Sequence, residues 1–170
     1  NRLSIIIPTY NEANNIISLT SEIIDLMKDR DCEILIVDDG STDSTVENIF
    51  DHFNDNKNIK VFQREYDRGL LQSIKFAFQS MTGEYFVVMD ADRQHDPTDI
   101  NHLVSYLDNY DLVIGVRNLK NLTQVSAKRA FISKLFNKIL KFVLSVKISD
   151  PLTGFFAGKI SLLNSKFFLL

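Results

Sequence analysis

Leu3-Ser4-Ile5-Ile6-Ile7-Pro8-Thr9-Tyr10-Asn11-Glu12 passes from a mostly apolar run to a polar cluster within ten residues. Leu3 to Pro8 is a short apolar run rich in Ile, which reads as a buried strand. The run turns polar at Thr9. From Glu12 to Lys28 the apolar residues Ile16, Leu19, Ile23, Ile24 and Met27 recur at helical spacing. A buried strand that feeds an amphipathic helix opens a βαβ unit.

The same alternation continues along the chain. Glu33 to Val37 reads as a second strand, and Asp38-Asp39-Gly40-Ser41 as a turn. Ser44 with Glu47 has the spacing of a capping box, predicting a helix to about Phe53. Ile59–Phe62 is a third strand, Arg68–Met81 a helix closed near Gly83, and Tyr85–Met89 a fourth strand. Asp96 followed by Pro97 starts a helix to about Leu107, and Leu112–Ile114 is a fifth strand. Ser126 to about Val146 is a long basic amphipathic helix, and Asp150–Gly154 a loop. Strands alternating with helices predict a three-layer α/β domain with a mainly parallel central sheet. Residues 1–170 form one such domain, because 170 residues suit one hydrophobic core and no linker or repeat interrupts them.

Cys32 is the only cysteine, so no internal disulfide forms, and its place at a strand start reads as packing rather than nucleophilic chemistry. The net charge of −3 conceals an asymmetry. Arg117, Lys120, Lys128, Arg129, Lys134, Lys138, Lys141 and Lys147 lie between Leu112 and Ser149 with no acidic residue among them. One face is therefore expected to meet an anionic partner. No apolar run reaches the roughly 20 residues that a membrane-spanning helix needs. Strand residues that begin at Leu3 speak against a signal peptide, and a chain opening on Asn1 reads as a portion of a longer protein.

In parallel α/β folds, ligands sit at the carboxyl ends of the strands. Polar clusters fall at four of those ends: Thr9-Tyr10-Asn11-Glu12, Asp38 to Asp43, Asp90-Ala91-Asp92-Arg93-Gln94, and Gly115-Val116-Arg117. If the chain stays extended past the fourth strand, Asp90, Asp92 and Gln94 share one side. Two carboxylates and an amide oxygen make a hard oxygen site suited to Mg²⁺ or Mn²⁺. An Asp-x-Asp standing alone is as readily a solvated loop capping the next helix; its place among the other clusters favours the site. Asp39 could accept hydrogen bonds from a base or ribose, whereas Asp38 and Asp43 read as turn-formers. Tyr10 and Glu12 could contact a nucleoside, and Glu12 could equally be a first-turn acid. His95 reads as packing or capping, and His52 and His102 as surface residues.

Taken together, Ser4-Ile5-Ile6-Ile7-Pro8-Thr9-Tyr10-Asn11-Glu12, Val37-Asp38-Asp39-Gly40-Ser41-Thr42-Asp43-Ser44-Thr45 and Met89-Asp90-Ala91-Asp92 resemble the inverting family-2 glycosyltransferases of the GT-A fold. The finer likeness is to dolichyl-phosphate mannose synthases and related polyprenyl-phosphate glycosyltransferases. It rests on Arg68-Gly69-Leu70, Gln94-His95, Gly115-x-Arg117, Lys128-Arg129 with Ser133 and Asn137, and Asp150-x-x-Thr153-Gly154-Phe155. The resemblance implies that Pro8, Tyr10, Glu12, Val37 and Asp39 hold the donor's base and ribose. Asp90 and Ala91 would lie along the nucleotide sugar, and Asp92 and Gln94 would bind a divalent ion with Asp90 close by. Arg117, Arg129 and Ser133 would receive an acceptor phosphate, Arg117 also reaching the donor. The catalytic set is then Asp90, Asp92 and Arg117. The implied partners are GDP-mannose, with UDP-glucose as the alternative donor, a dolichyl or other polyprenyl phosphate, and the cytoplasmic face of a membrane. No nucleic-acid partner is implied. The chain departs from the pattern at Arg93, where the family usually has Leu, at Asp96-Pro97-Thr98, at Leu71-Gln72-Ser73, and at Phe156 after Phe155.

The 126–146 segment adds an independent argument. Arg129, Ser133 and Asn137 recur every four residues and share a helical face, while Lys134, Lys138 and Lys141 form a second polar stripe. A basic amphipathic helix without acids reads as a membrane-surface helix; a helix packed on the domain with a solvated lysine face is the alternative. A family-2 enzyme acting on a sugar hydroxyl, and a non-catalytic nucleotide- or membrane-binding module, remain the competing functions.

Overall fold

The structure is a computed structural model that describes residues 1–115 and 154–163. Its first strand, β1 (Leu3–Thr9), is buried along its whole length and pairs in parallel with β2 (Cys32–Asp38), from Leu3 opposite Cys32 to Thr9 opposite Asp38. Each outruns its predicted bounds because the partner continues the hydrogen-bond ladder. β3 (Ile59–Gln63) pairs in parallel with β2, and β4 (Tyr85–Val88) in parallel with β1. β5 (Leu112–Ile114) stands at the sheet edge. Between β4 and β5 lies β6 (Phe156–Lys159), antiparallel to both, so the order is β3-β2-β1-β4-β6-β5. The mainly parallel sheet is as expected, and β6 is an addition that the sequence left ambiguous. Gly158 lets β6 fit there: a Cβ at that position would lie 2.5 Å from the Phe86 ring.

Four α-helices connect the strands among the described residues: α1 (Ile16–Leu26), α2 (Thr45–Phe53), α3 (Leu70–Ser80) and α4 (Asp99–Ser105), the last running into a 3₁₀ turn at Tyr106–Asp108. Period-two alternation along the strands builds a core on each face. Leu3, Ile5 and Ile7 of β1 pack with Ile16, Leu19 and Ile23 of α1, Ile49 of α2 and Ile100 of α4. Ile6, Leu35, Val37, Phe86 and Val88 pack against Ile74, Ala77 and Phe78 of α3. This is the expected three-layer arrangement, and each fully buried aliphatic side chain contributes about 1.5–3 kcal/mol to it.

Helix starts differ from the sequence reading for local reasons. α1 begins four residues after Glu12, because the Glu12 carbonyl accepts from the Asn15 and Ile16 amides in a preceding turn. Ser44 makes no side-chain cap on α2. The capping box does not form, and Asp43 Oδ1 instead accepts from the Thr45 amide at 3.0 Å. α3 cannot extend back to Arg68, since Gly69 sits at φ 135°. Asp96 prepares α4 by accepting from the Thr98 amide at 2.9 Å and hydroxyl at 2.7 Å. None of the described helices is long and apolar enough to cross a membrane. The basic helix predicted at 126–146 lies outside the described residues, with Arg117, Arg129, Ser133 and Asp150.

Candidate active site

Because β1, β2 and β4 run parallel, their carboxyl ends emerge side by side on one rim. A pocket opens there. β1 and its loop contribute Pro8, Thr9, Tyr10 and Glu12, the loop after β2 contributes Asp39, α3 contributes Leu70 and Ser73, and the turn after β4 contributes Asp90, Ala91 and Asp92. Seven sequence-predicted residues meet in it: Pro8, Tyr10, Glu12, Asp39, Asp90, Ala91 and Asp92.

Two others are placed differently. Val37 is fully buried and packs with Leu35 and Ile74 on the α3 face, away from the pocket lining. Gln94 is exposed and does not line the pocket; its backbone N–H donates to Asp92 Oδ1 at 3.0 Å. The premise of an extended chain past β4 fails at Arg93, which adopts φ 56° and bends the backbone after Asp92. Asp90 and Asp92 nevertheless share the pocket. The Arg93 side chain reaches back to α1 and pairs with Glu22 at 2.7 Å.

The loops after β1 and β2 are laced together. The Asn11 amide, at φ 56°, donates to Ser41 Oγ at 2.8 Å, and the Thr42 amide donates to Asn11 Oδ1 at 2.8 Å. The Glu12 amide donates to Thr45 Oγ1 at 2.9 Å and the Ala13 amide to Asp43 Oδ2 at 3.2 Å. The Thr45 hydroxyl, with the Thr45 and Ala13 amides, holds the Asp43 carboxyl below the usual carboxylate range. Asp38 is buried and shapes its own turn, accepting from the Gly40 and Ser41 amides at 3.0 and 2.9 Å. Both behave as the turn-formers expected. Asp39 is instead gripped from the pocket wall by Arg64, Ser73 and the Gly69 amide.

Cys32 is no nucleophile in waiting: burial, helped by the neighbouring Asp31 carboxylate, pushes its thiol up. His95 is buried with its ring 5.0 Å from that of Phe155, a packing role, and His52 and His102 are exposed. Arg64 and Ser73 escaped the sequence reading. Arg64 lies one residue past β3 and looks like any strand-end cation, and nothing in the chain's periodicity aims either residue at Asp39.

The donor set suits a divalent ion. Asp90 and Asp92 bring hard carboxylate oxygens to one pocket, a set that leaves remaining positions to water and a diphosphate. Close beside them Gly154 has no side chain, and a Cβ there would lie 2.1 Å from Asp90 Oδ2.

Residues 4–166 match the family described as Glycosyl transferase family 2. The dolichol-phosphate mannosyltransferase of Pyrococcus furiosus is 36% identical over 161 residues, covering 92% of this chain and 46% of the relative. The dolichol-phosphate mannosyltransferase of Saccharomyces cerevisiae is 30% identical over 159 residues, covering 90% of this chain and 59% of the relative. The chain thus spans about half the length of the curated relatives it matches. Among solved structures, glucosyl-3-phosphoglycerate synthase from Mycobacterium tuberculosis, in complex with Mn²⁺ and uridine-diphosphate-glucose, superimposes with a TM-score of 0.66 at 22% identity, over 96% of this chain and 58% of the other. That likeness carries the GT-A fold, in agreement with the sheet order and the pocket at its carboxyl rim. By its sequence match over residues 4–166, this chain belongs to glycosyltransferase family 2.

Proposed function

We propose that this domain transfers a hexose from a nucleotide diphosphate sugar to a polyprenyl phosphate, with mannose from GDP-mannose the favoured donor and UDP-glucose the alternative. The observation that carries the reading is that Asp90 and Asp92 line the same pocket as Tyr10, Glu12 and Asp39. A nucleoside-binding wall and a hard oxygen pair for a diphosphate-bound cation thus share one cleft. The two dolichol-phosphate mannosyltransferase relatives support the acceptor class.

In this reading Pro8, Tyr10, Glu12 and Asp39 hold the base and ribose, with Val37 behind them. Asp90 and Ala91 lie along the sugar nucleotide, and Asp90 and Asp92, the two carboxylates that share the pocket, would hold Mg²⁺ or Mn²⁺. Such an ion, when bound, offsets charge on the departing diphosphate. The bond between the anomeric carbon and the diphosphate oxygen breaks, its electron pair leaving with the diphosphate. A phosphate oxygen of the acceptor forms the new bond. A phosphate monoester has its second pKa near 6, so about neutral pH it is already largely ionised and needs no general base. It needs cations to bring two anions together. Arg117, Arg129 and Ser133 are assigned that role, in the acid-free stretch between Leu112 and Ser149. The same stretch suits an anionic membrane surface, where each basic residue contributes about 1 kcal/mol.

The deciding experiment presents GDP-mannose and UDP-glucose, with Mn²⁺ or Mg²⁺, to a short polyprenyl phosphate and separately to oligosaccharides, identifying products by mass. A hexosyl phosphopolyprenol is the expected product. Transfer to the oligosaccharides alone would replace this reading with a hydroxyl-acceptor one.

A further inference from the structure

We propose that Arg64 is the positioning residue for the nucleotide end of the pocket, acting through Asp39. The inference rests on the donor reading given above. Arg64 Nη1 donates to Asp39 Oδ1 at 2.9 Å and to Ser73 Oγ at 3.0 Å. Ser73 Oγ in turn donates to the same Asp39 oxygen at 3.2 Å. The Gly69 amide donates to Asp39 Oδ2 at 2.7 Å. A carboxylate offers about four acceptor directions. Three are used, and the remaining one belongs to Oδ2 of a side chain that lines the pocket. Asp39 is therefore a clamped acceptor with room for a single N–H or O–H of the donor's base or ribose.

Arg64 acts on that carboxylate twice. The direct contact compensates its charge where water is scarce, the two side chains being only 11% and 17% exposed. The indirect contact runs through the loop. Arg64 Nη2 donates to the carbonyls of Tyr66 and Asp67, folding the 65–68 segment back on itself. That segment carries Asp67 at φ 52° and leads directly into Gly69 at φ 135°. Such a backbone needs external ties to hold its shape, and it delivers the Gly69 N–H to Asp39. Only a planar guanidinium reaches a carboxylate, a hydroxyl and two carbonyls from one position; an ammonium does not.

The test is a double-mutant cycle read by calorimetric binding of GDP and of UDP in the presence of Mn²⁺. Arg64→Ala is expected to weaken binding of the better nucleotide about ten- to a hundred-fold, the effect of losing a charge-assisted contact. Arg64→Lys should fall between it and wild type. In an Asp39→Ala background, Arg64→Ala should change affinity less than about twofold, because the two residues act as one unit. Circular dichroism identifies the folded variants. If Arg64→Ala unfolds the domain, Arg64→Lys and Arg64→Gln complete the same cycle. Wild-type affinity in a folded Arg64 variant, or losses that add in the double variant, would overturn the positioning role while leaving the donor reading intact. If the wild type binds neither nucleotide, the donor reading falls and takes this inference with it.

Discussion

Asp90 and Gly154 touch across the sheet: a Cβ on Gly154 would lie 2.1 Å from Asp90 Oδ2 and 2.4 Å from its Oδ1. The contact follows from register. Val88 pairs with Phe156 in the antiparallel β4–β6 ladder, which sets the residues two beyond and two before them opposite each other. A strand from the far end of the chain thus backs a carboxylate of the pocket.

Gly154→Ala should therefore displace the Asp90 carboxylate while the core, built elsewhere, survives. Transfer is expected to fall on the order of a hundred-fold, as for a reacting group moved by about 1 Å. Melting temperature and rate, measured on the same preparation, check this. A folded Gly154→Ala protein with the parent's rate would show that Asp90 has room to move without consequence.

Asp92→Asn keeps the side-chain shape and removes a charge. Transfer should fall by orders of magnitude, and Mn²⁺-dependent donor binding should weaken, with the circular dichroism spectrum unchanged. Near-normal turnover would sink the metal role of this carboxylate.

The far end of the sheet carries a pH-dependent tie. Glu33 is buried in β2 and accepts from Ser4 Oγ at 2.7 Å, Lys60 Nζ at 2.7 Å and Thr82 Oγ1 at 2.8 Å. Burial alone would raise its pKa. The Lys60 ammonium, with the Ser4 hydroxyl and the Thr82 amide and hydroxyl, outweighs it and lowers the carboxyl to about 2 from an ordinary 4.5. A folded-state pKa below the unfolded one stabilises the fold above about pH 4.5, and that stability is lost as pH falls toward 2. Glu33→Gln should flatten the decline in melting temperature over this window. An identical acid limb in both proteins would remove Glu33 from the account.

Arg129 is assigned to the acceptor and not to the donor. Arg129→Ala should leave nucleotide-sugar affinity within a few-fold of wild type. It should also impair the dependence of rate on polyprenyl phosphate about ten- to a hundred-fold, and Arg129→Lys should rescue only in part. Paired titrations, donor binding by calorimetry and acceptor dependence by rate, decide it. Lost donor affinity with unchanged acceptor dependence would reverse the assignment.

Much of this protein is local and was therefore legible in its sequence. The apolar run from Leu3 to Ile7, the helical spacing from Ile16 to Met27 and the polar clusters at strand ends all express short-range periodicity. That periodicity implies parallel β1, β2 and β4, and parallel strands bring Tyr10, Asp39, Asp90 and Asp92 to one rim. Tertiary structure alone decided what depends on distant partners. Phe156–Lys159 becomes a strand because β4 and β5 leave a gap that it fills and Gly158 admits the Phe86 ring. The Asp90–Asp92 turn bends at Arg93, whose side chain is tied to Glu22 on α1, 71 residues away in sequence. Asp39 is clamped by Arg64, Gly69 and Ser73, which are 25 to 34 residues away. Spacing reveals which way a side chain points from its own backbone; which atom it meets depends on how the layers close.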